Sequence, residues 1–99
     1  MKNDEIKEVV AEANEEALLA DGFEDALLGY CERCGTNPVA LYDQDKCIEI
    51  LMKRDGMTRE DAEEYFSFNT LGGFVGKASP MFAKILRGRF ILEAPRKGK

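Results

Sequence analysis

The sequence predicts an α+β fold: a small antiparallel or mixed sheet of three to four short strands, with an N-terminal helix and a two-helix segment packed on one face. Three observations predict it. Apolar residues recur at helical spacing near the N-terminus. Two β-prone runs, one beginning ALLGYC and one reading VALYD, flank a turn-rich stretch. Residues 41–72 then carry two amphipathic helix patterns separated by Asp55-Gly56-Met57.

Taken in order, Asn3 and Asp4 offer capping oxygens, and Ile6, Val9, Val10, Ala13 and Ala17 give an amphipathic helix over residues 4–20, closed by Asp21-Gly22. Glu5, Glu8, Glu12 and Glu15 line its solvent face. The run from Ala26 turns from apolar to alternating through Tyr30, Glu32 and Arg33, which favours a strand over a continuing helix. Gly35-Thr36-Asn37-Pro38 supplies the turn before a second strand, Val39 to Tyr42.

Asp43 and Asp45 can accept the free amides opening the next helix, Lys46 to Arg54, whose wide apolar face is Cys47, Ile48, Ile50, Leu51 and Met52. Gly56 lets the chain leave it, and Thr58 caps a following helix with Ala62, Tyr65 and Phe66 as its buried stripe. Asn69, Gly72 and Gly73 stop that helix. Strands are then expected from Phe74-Val75 through Phe82 and over Arg89 to Leu92. The expected core is Ile6, Val10, Leu27, Val39, Leu41, Ile48, Leu51, Ala62, Phe66 and Phe74.

The chain has 99 residues, 44% hydrophobic and 33% charged, which suits one soluble globular domain over residues 1–83 and a basic C-terminal extension over 84–99. A domain of this size buries about two-thirds of its unfolded surface, so its margin is narrow and a homodimer would widen it. An acidic start and the absence of a long apolar run point to a cytoplasmic protein with no membrane association. Net charge is −5 but segregated: residues 1–30 sum to −7, 31–76 to −4 and 77–99 to +6. Arg87, Arg89, Arg96, Lys97 and Lys99 make the tail a candidate contact for nucleic acid, or simply a solvated terminus.

Chemistry-bearing motifs fail one by one. Cys31-x-x-Cys34 is half of a zinc spacing, with Cys47 further on, but there is no histidine and no second pair. On a strand, Cys31 and Cys34 would face opposite ways, and buried or half-buried thiols are the simpler reading. Without histidine the commonest partner of a serine or cysteine nucleophile is missing. Asp43 and Asp45 are explained by capping, and Ile48 stands where a calcium loop needs glycine.

The glycines of residues 72–76 miss a phosphate-binding loop, because Leu71 and Ala78 occupy its required glycine and hydroxyl positions. The helix pair evokes a DNA-reading motif, yet Arg59 to Asn69 carries Glu60, Asp61, Glu63 and Glu64 against one base. Imitation of DNA by acidic helices is a minor alternative at this modest net charge. No catalytic residue, metal ligand set or cofactor is assigned.

Tyr42, Asp43, Lys46, Cys47, Arg54, Asp55, Gly56, Met57, Phe68 and Asn69, together with the preceding GYCERCG, form a pattern over residues 22–83. In it the chain resembles a family of small uncharacterised proteins of bacteriophages and prophages. The resemblance implies an origin in a bacterial host cell and no mechanism. The expected function is therefore a non-enzymatic accessory protein that binds a host or phage protein, with inhibition of a host or defence complex as one mode of action. The alternative is nucleic-acid association through the tail. The partner-binding candidates are Tyr42, Arg54, Glu60, Glu63, Glu64 and Asn69, polar positions around the helix pair.

Overall fold

The computed structural model describes residues 1–86. The chain begins with helix α1 (Asn3–Ala13) and passes through an irregular segment and a short 3-10 turn (Glu24–Ala26) into strand β1 (Leu27–Cys31). Strand β2 (Val39–Asp43), helix α2 (Gln44–Asp55) and helix α3 (Arg59–Tyr65) follow. A π-helical turn (Phe66–Thr70) and a 3-10 turn (Leu71–Gly73) continue α3, and strand β3 (Met81–Ala83) comes last. The fold is α+β, with a mixed sheet of order β1-β2-β3: β1 runs antiparallel to β2, and β3 parallel to it.

The first helix departs from expectation at both ends. Asn3 and Asp4 lie inside it, and Glu5 closes the N-terminus by accepting the Lys2 backbone amide at 2.9 Å. Asn3 instead donates from its side chain to Asp25 at 2.6 Å. The helix stops at Ala13, not near residue 20, because Asn14 offers competing bonds. Its side-chain oxygen accepts the Glu16 amide at 3.1 Å, and its amide group donates to the Pro38 carbonyl at 2.9 Å. Freed from the helix, residues 15–23 wrap the core and deliver Ala20 and Phe23 into it.

Both ends of α2 and the start of α3 match their sequence signals, whereas Asn69, expected to stop α3, lies inside the π-helical turn that continues it. Asp43 accepts the Lys46 amide, Gly56 takes the left-handed conformation (φ 69°) that ends α2, and Thr58 accepts the Asp61 amide at 3.1 Å. The third strand does not begin at Phe74-Val75; it is Met81–Ala83, after Pro80. The segment between stays irregular, its Leu18 to Ala78 backbone bond (3.0 Å) tying it to the N-terminal crossing instead of to the sheet. The strand expected over Arg89 to Leu92 lies outside the described residues.

Register decides which sheet face is buried. Leu27 pairs with Tyr42 and Tyr42 with Phe82, so these three share a face, while Cys31 pairs with Val39 and Leu41 with Met81 on the opposite one. The first face meets the helices. Tyr42 stacks on Phe82 at 5.3 Å, Phe82 meets Phe66 edge-on at 5.0 Å, and Phe66 meets Phe23 edge-on at 6.1 Å. Val10, Ile48, Leu51 and Ala62 complete this core.

Burying Phe66 alone is worth about 1.5–3 kcal/mol. The exposed Arg59–Glu63 ion pair on the same helix is worth roughly 0.5 kcal/mol, so packing, not surface charge, fixes α3. Of the expected core, Ile6, Leu41 and Phe74 are only partly buried. Ala20, Phe23, Ala26, Ala40 and Tyr42 are core residues the periodicity did not single out, while Cys47, on the expected apolar face of α2, is buried with them.

Candidate interaction face

The six partner-binding candidates separate by environment. Tyr42 is 1% exposed and belongs to the core: its hydroxyl accepts the Ala20 amide at 2.7 Å, and burial, the dominant influence, pushes its phenol pKa up. It cannot touch a partner. Arg54 is used within the fold. Its guanidinium donates to the Gly22 carbonyl at 3.0 Å, pairs with Asp55 at 3.2 Å and lies over the Phe23 ring at 5.7 Å. Those Asp55 bonds hold its pKa above the ordinary value. Gly22 answers that clamp with φ +92° and no side chain, since a Cβ there would come within 2.8 Å of the guanidinium.

Glu60, Glu63, Glu64 and Asn69 are exposed on α3 and the turn that continues it. They do not form one patch. Glu63 pairs with Arg59 at 3.1 Å, and Arg59 reaches Asp45 at 3.4 Å, so this side of α3 is neutralised internally against α2. Glu64 and Asn69 lie on the other side. With Met57, Asp61, Tyr65 and Phe68 they line an open depression of about 400 Å³.

The π-helical turn shapes that side. Ala62, Phe66 and Thr70 keep one buried stripe through it, which leaves Tyr65, Phe68 and Asn69 outward. Asn69 donates from its side chain to the Tyr65 carbonyl at 3.3 Å, satisfying backbone where the ladder changes pitch. Tyr65, expected in the buried stripe, is 42% exposed, and Phe68 is 73% exposed. The stripe follows steps of four from Ala62, and Tyr65 falls outside them.

Phe68 was legible by the same steps: two positions from buried Phe66, it must project away from the core. The face therefore joins two exposed rings and Met57 to the carboxylates of Asp61 and Glu64. Residues 1–86 carry nine Lys and Arg against eighteen Asp and Glu, so their summed long-range field has the same sign as that rim.

The cysteines are free. Cys47 is fully buried, and burial with the nearby Asp43 charge pushes its thiol up to about 12. Cys34 is exposed, correcting the expectation of buried or half-buried thiols, and it sits in the turn beyond β1, where strand alternation no longer applies. Half-buried Cys31 donates to the Met81 sulfur at 3.4 Å, its thiol raised by burial. Among the described residues no group of three or more His, Cys, Asp or Glu is placed to hold a metal ion. No helix among them is long and apolar enough to cross a membrane.

Arg87, Arg89, Arg96, Lys97 and Lys99 lie outside the described residues. Comparison with models of known families, with curated proteins and with solved structures gives no match.

Proposed function

We propose that this chain is a non-enzymatic accessory protein of bacteriophage type, working in the bacterial cytoplasm by binding a host or phage protein. The observation that carries the reading is the exposed Phe68 ring beside Tyr65 and Met57, rimmed by Asp61 and Glu64. A contiguous cluster of exposed apolar side chains with a polar rim marks a contact site. The rim is acidic. A partner segment that presents Lys or Arg around an apolar side chain complements it, with the charges speeding encounter and the rings holding the complex.

Blocking a host or defence complex is one outcome of occupying such a segment. The phage assignment itself rests on the sequence pattern running from Tyr42 to Asn69.

The test is capture from bacterial lysate on the immobilised chain, with Phe68→Ser and Glu64→Lys run beside it. The native chain should retain a stoichiometric basic partner, Phe68→Ser should lose it, and Glu64→Lys should weaken it most at low salt. Repeated recovery of no stoichiometric partner, or equal recovery by all three, sinks the reading.

A further inference from the structure

The sheet face turned away from the aromatic core carries a cavity of about 250 Å³, lined by the β1–β2 connection and by the segment that leads into β3. Part of its wall is apolar: Val39, with Cys31 and Met81, whose sulfurs meet at 3.4 Å. Each of the two loops adds one cation, Arg33 from the first and Lys77 from the second. Among the described residues neither makes an ion pair. Ser79 lines the same cavity, and its Oγ is buried with no hydrogen-bond partner, an uncommon state for a native hydroxyl.

Both loops are fixed by their own backbone. The Arg33 carbonyl accepts the Thr36 amide and the Thr36 hydroxyl, each at 2.9 Å, which closes the turn that carries Arg33. Gly76 takes a left-handed conformation (φ 99°), its carbonyl accepts the Ser79 amide at 3.4 Å, and the Ala78 carbonyl accepts the Leu18 amide at 3.0 Å. The glycine-rich segment thus misses the phosphate-loop spacing in sequence, but the fold sets its lysine and serine in one cavity with an arginine from another loop.

We propose that Arg33, Lys77 and Ser79 form a binding site for a small phosphate group. A guanidinium offers a planar fork of N–H donors that matches one edge of a phosphate, and an ammonium adds a compact charge. The Ser79 hydroxyl gains the acceptor it lacks within the fold. Three donors of different geometry suit a tetrahedral oxyanion better than a planar carboxylate, whose two oxygens one guanidinium already takes up. The volume falls below the roughly 300–1,000 Å³ of pockets for drug-sized ligands, which keeps the occupant small. Glu32 is also on the lining, so its three charges sum to +1, whereas residues 1–86 sum to −9. The cavity is a local exception to the acidic field of the chain, and its apolar wall strengthens the attraction by lowering the local dielectric.

The experiment is calorimetric titration of the full chain with inorganic phosphate and, separately, with O-phosphoserine, near neutral pH and at constant ionic strength. One equivalent of phosphate should bind saturably. Arg33→Gln and Lys77→Gln should each weaken it by about tenfold, the worth of one hydrogen bond to a charged group. Both positions are exposed, so these variants keep the fold. Ser79→Ala should also weaken binding, yet leave the urea midpoint without phosphate at or above that of the native chain, since the hydroxyl it removes has no partner in the fold. O-phosphoserine bound as tightly as phosphate identifies an esterified phosphate as the occupant, and its exclusion identifies the free anion; either supports the site. The proposal is overturned if phosphate shows no saturable binding, or if Arg33→Gln or Lys77→Gln binds it as the native chain does. A Ser79→Ala chain with native affinity and a lowered midpoint would overturn it too, since the hydroxyl would then serve the fold alone.

Discussion

The Tyr42 hydroxyl accepts the backbone amide of Ala20 at 2.7 Å, joining the central strand to the segment that crosses the core after α1. Both groups are buried, so the bond matters more for what its loss exposes than for what it adds. Tyr42→Phe keeps the ring stacked on Phe82 but leaves the Ala20 amide without an acceptor away from water. The expected cost is about 1–3 kcal/mol, read as a lower urea midpoint at unchanged slope. A midpoint equal to that of the native chain would mean that water reaches the amide.

Gly22 and Arg54 make a second such pair. The left-handed backbone at Gly22 and the 2.8 Å approach of the guanidinium both oppose a side chain, so Gly22→Ala should destabilise by about 1–3 kcal/mol. Arg54→Ala relieves the crowding and leaves only the strain. In a double-mutant cycle the two substitutions should therefore be less costly together than their sum. Strict additivity would place the whole effect in the backbone.

What could be read in advance follows a physical divide. Asp43, Thr58 and Gly56 act through their nearest neighbours along the chain, and each does in the structure what its position implied. Asn14 and Tyr42 act at long range. The end of α1 depends on Pro38, twenty-four positions on, and the burial of Tyr42 depends on Ala20, twenty-two positions back. Neither partner is visible in a local pattern, so one helix was read too long and one core residue as a surface one. Of the residues lining the depression beside α3, Glu64 and Asn69 are the two that polarity singles out in the sequence. Tyr65 was misassigned because a π-helical turn continues the helix, and Arg54 because its carbonyl and ring partners lie at Gly22 and Phe23.

Phe68 separates surface chemistry from stability. At 73% exposure its removal costs the fold little, so Phe68→Ser should shift stability by no more than about 0.5 kcal/mol while abolishing partner capture. Phe66→Ala, two residues away, should cost about 3–5 kcal/mol. Thermal unfolding of the two variants side by side measures the contrast. A large loss for Phe68→Ser would show that its ring supports the turn.

Alkaline pH should destabilise the chain through Cys47. Its thiol is raised from 9.0 to about 12 by burial and by Asp43, so in the folded state it stays neutral where an unfolded cysteine has already ionised. The sign follows from proton linkage. A raised folded pKa adds stability that is complete below pH 9 and drains away as pH climbs toward 12, because the unfolded chain gives up its proton first. Tyr42, raised from 10.0 chiefly by burial, acts in the same direction. Urea midpoints measured from pH 8 upward should fall for the native chain and fall less for Cys47→Ala, which starts lower but has no thiol to ionise. A thiol reagent gives an independent reading at pH 8: Cys31 and Cys34 should react in the folded chain, and Cys47 only after unfolding. Parallel pH curves for the two proteins would assign the alkaline loss to other groups.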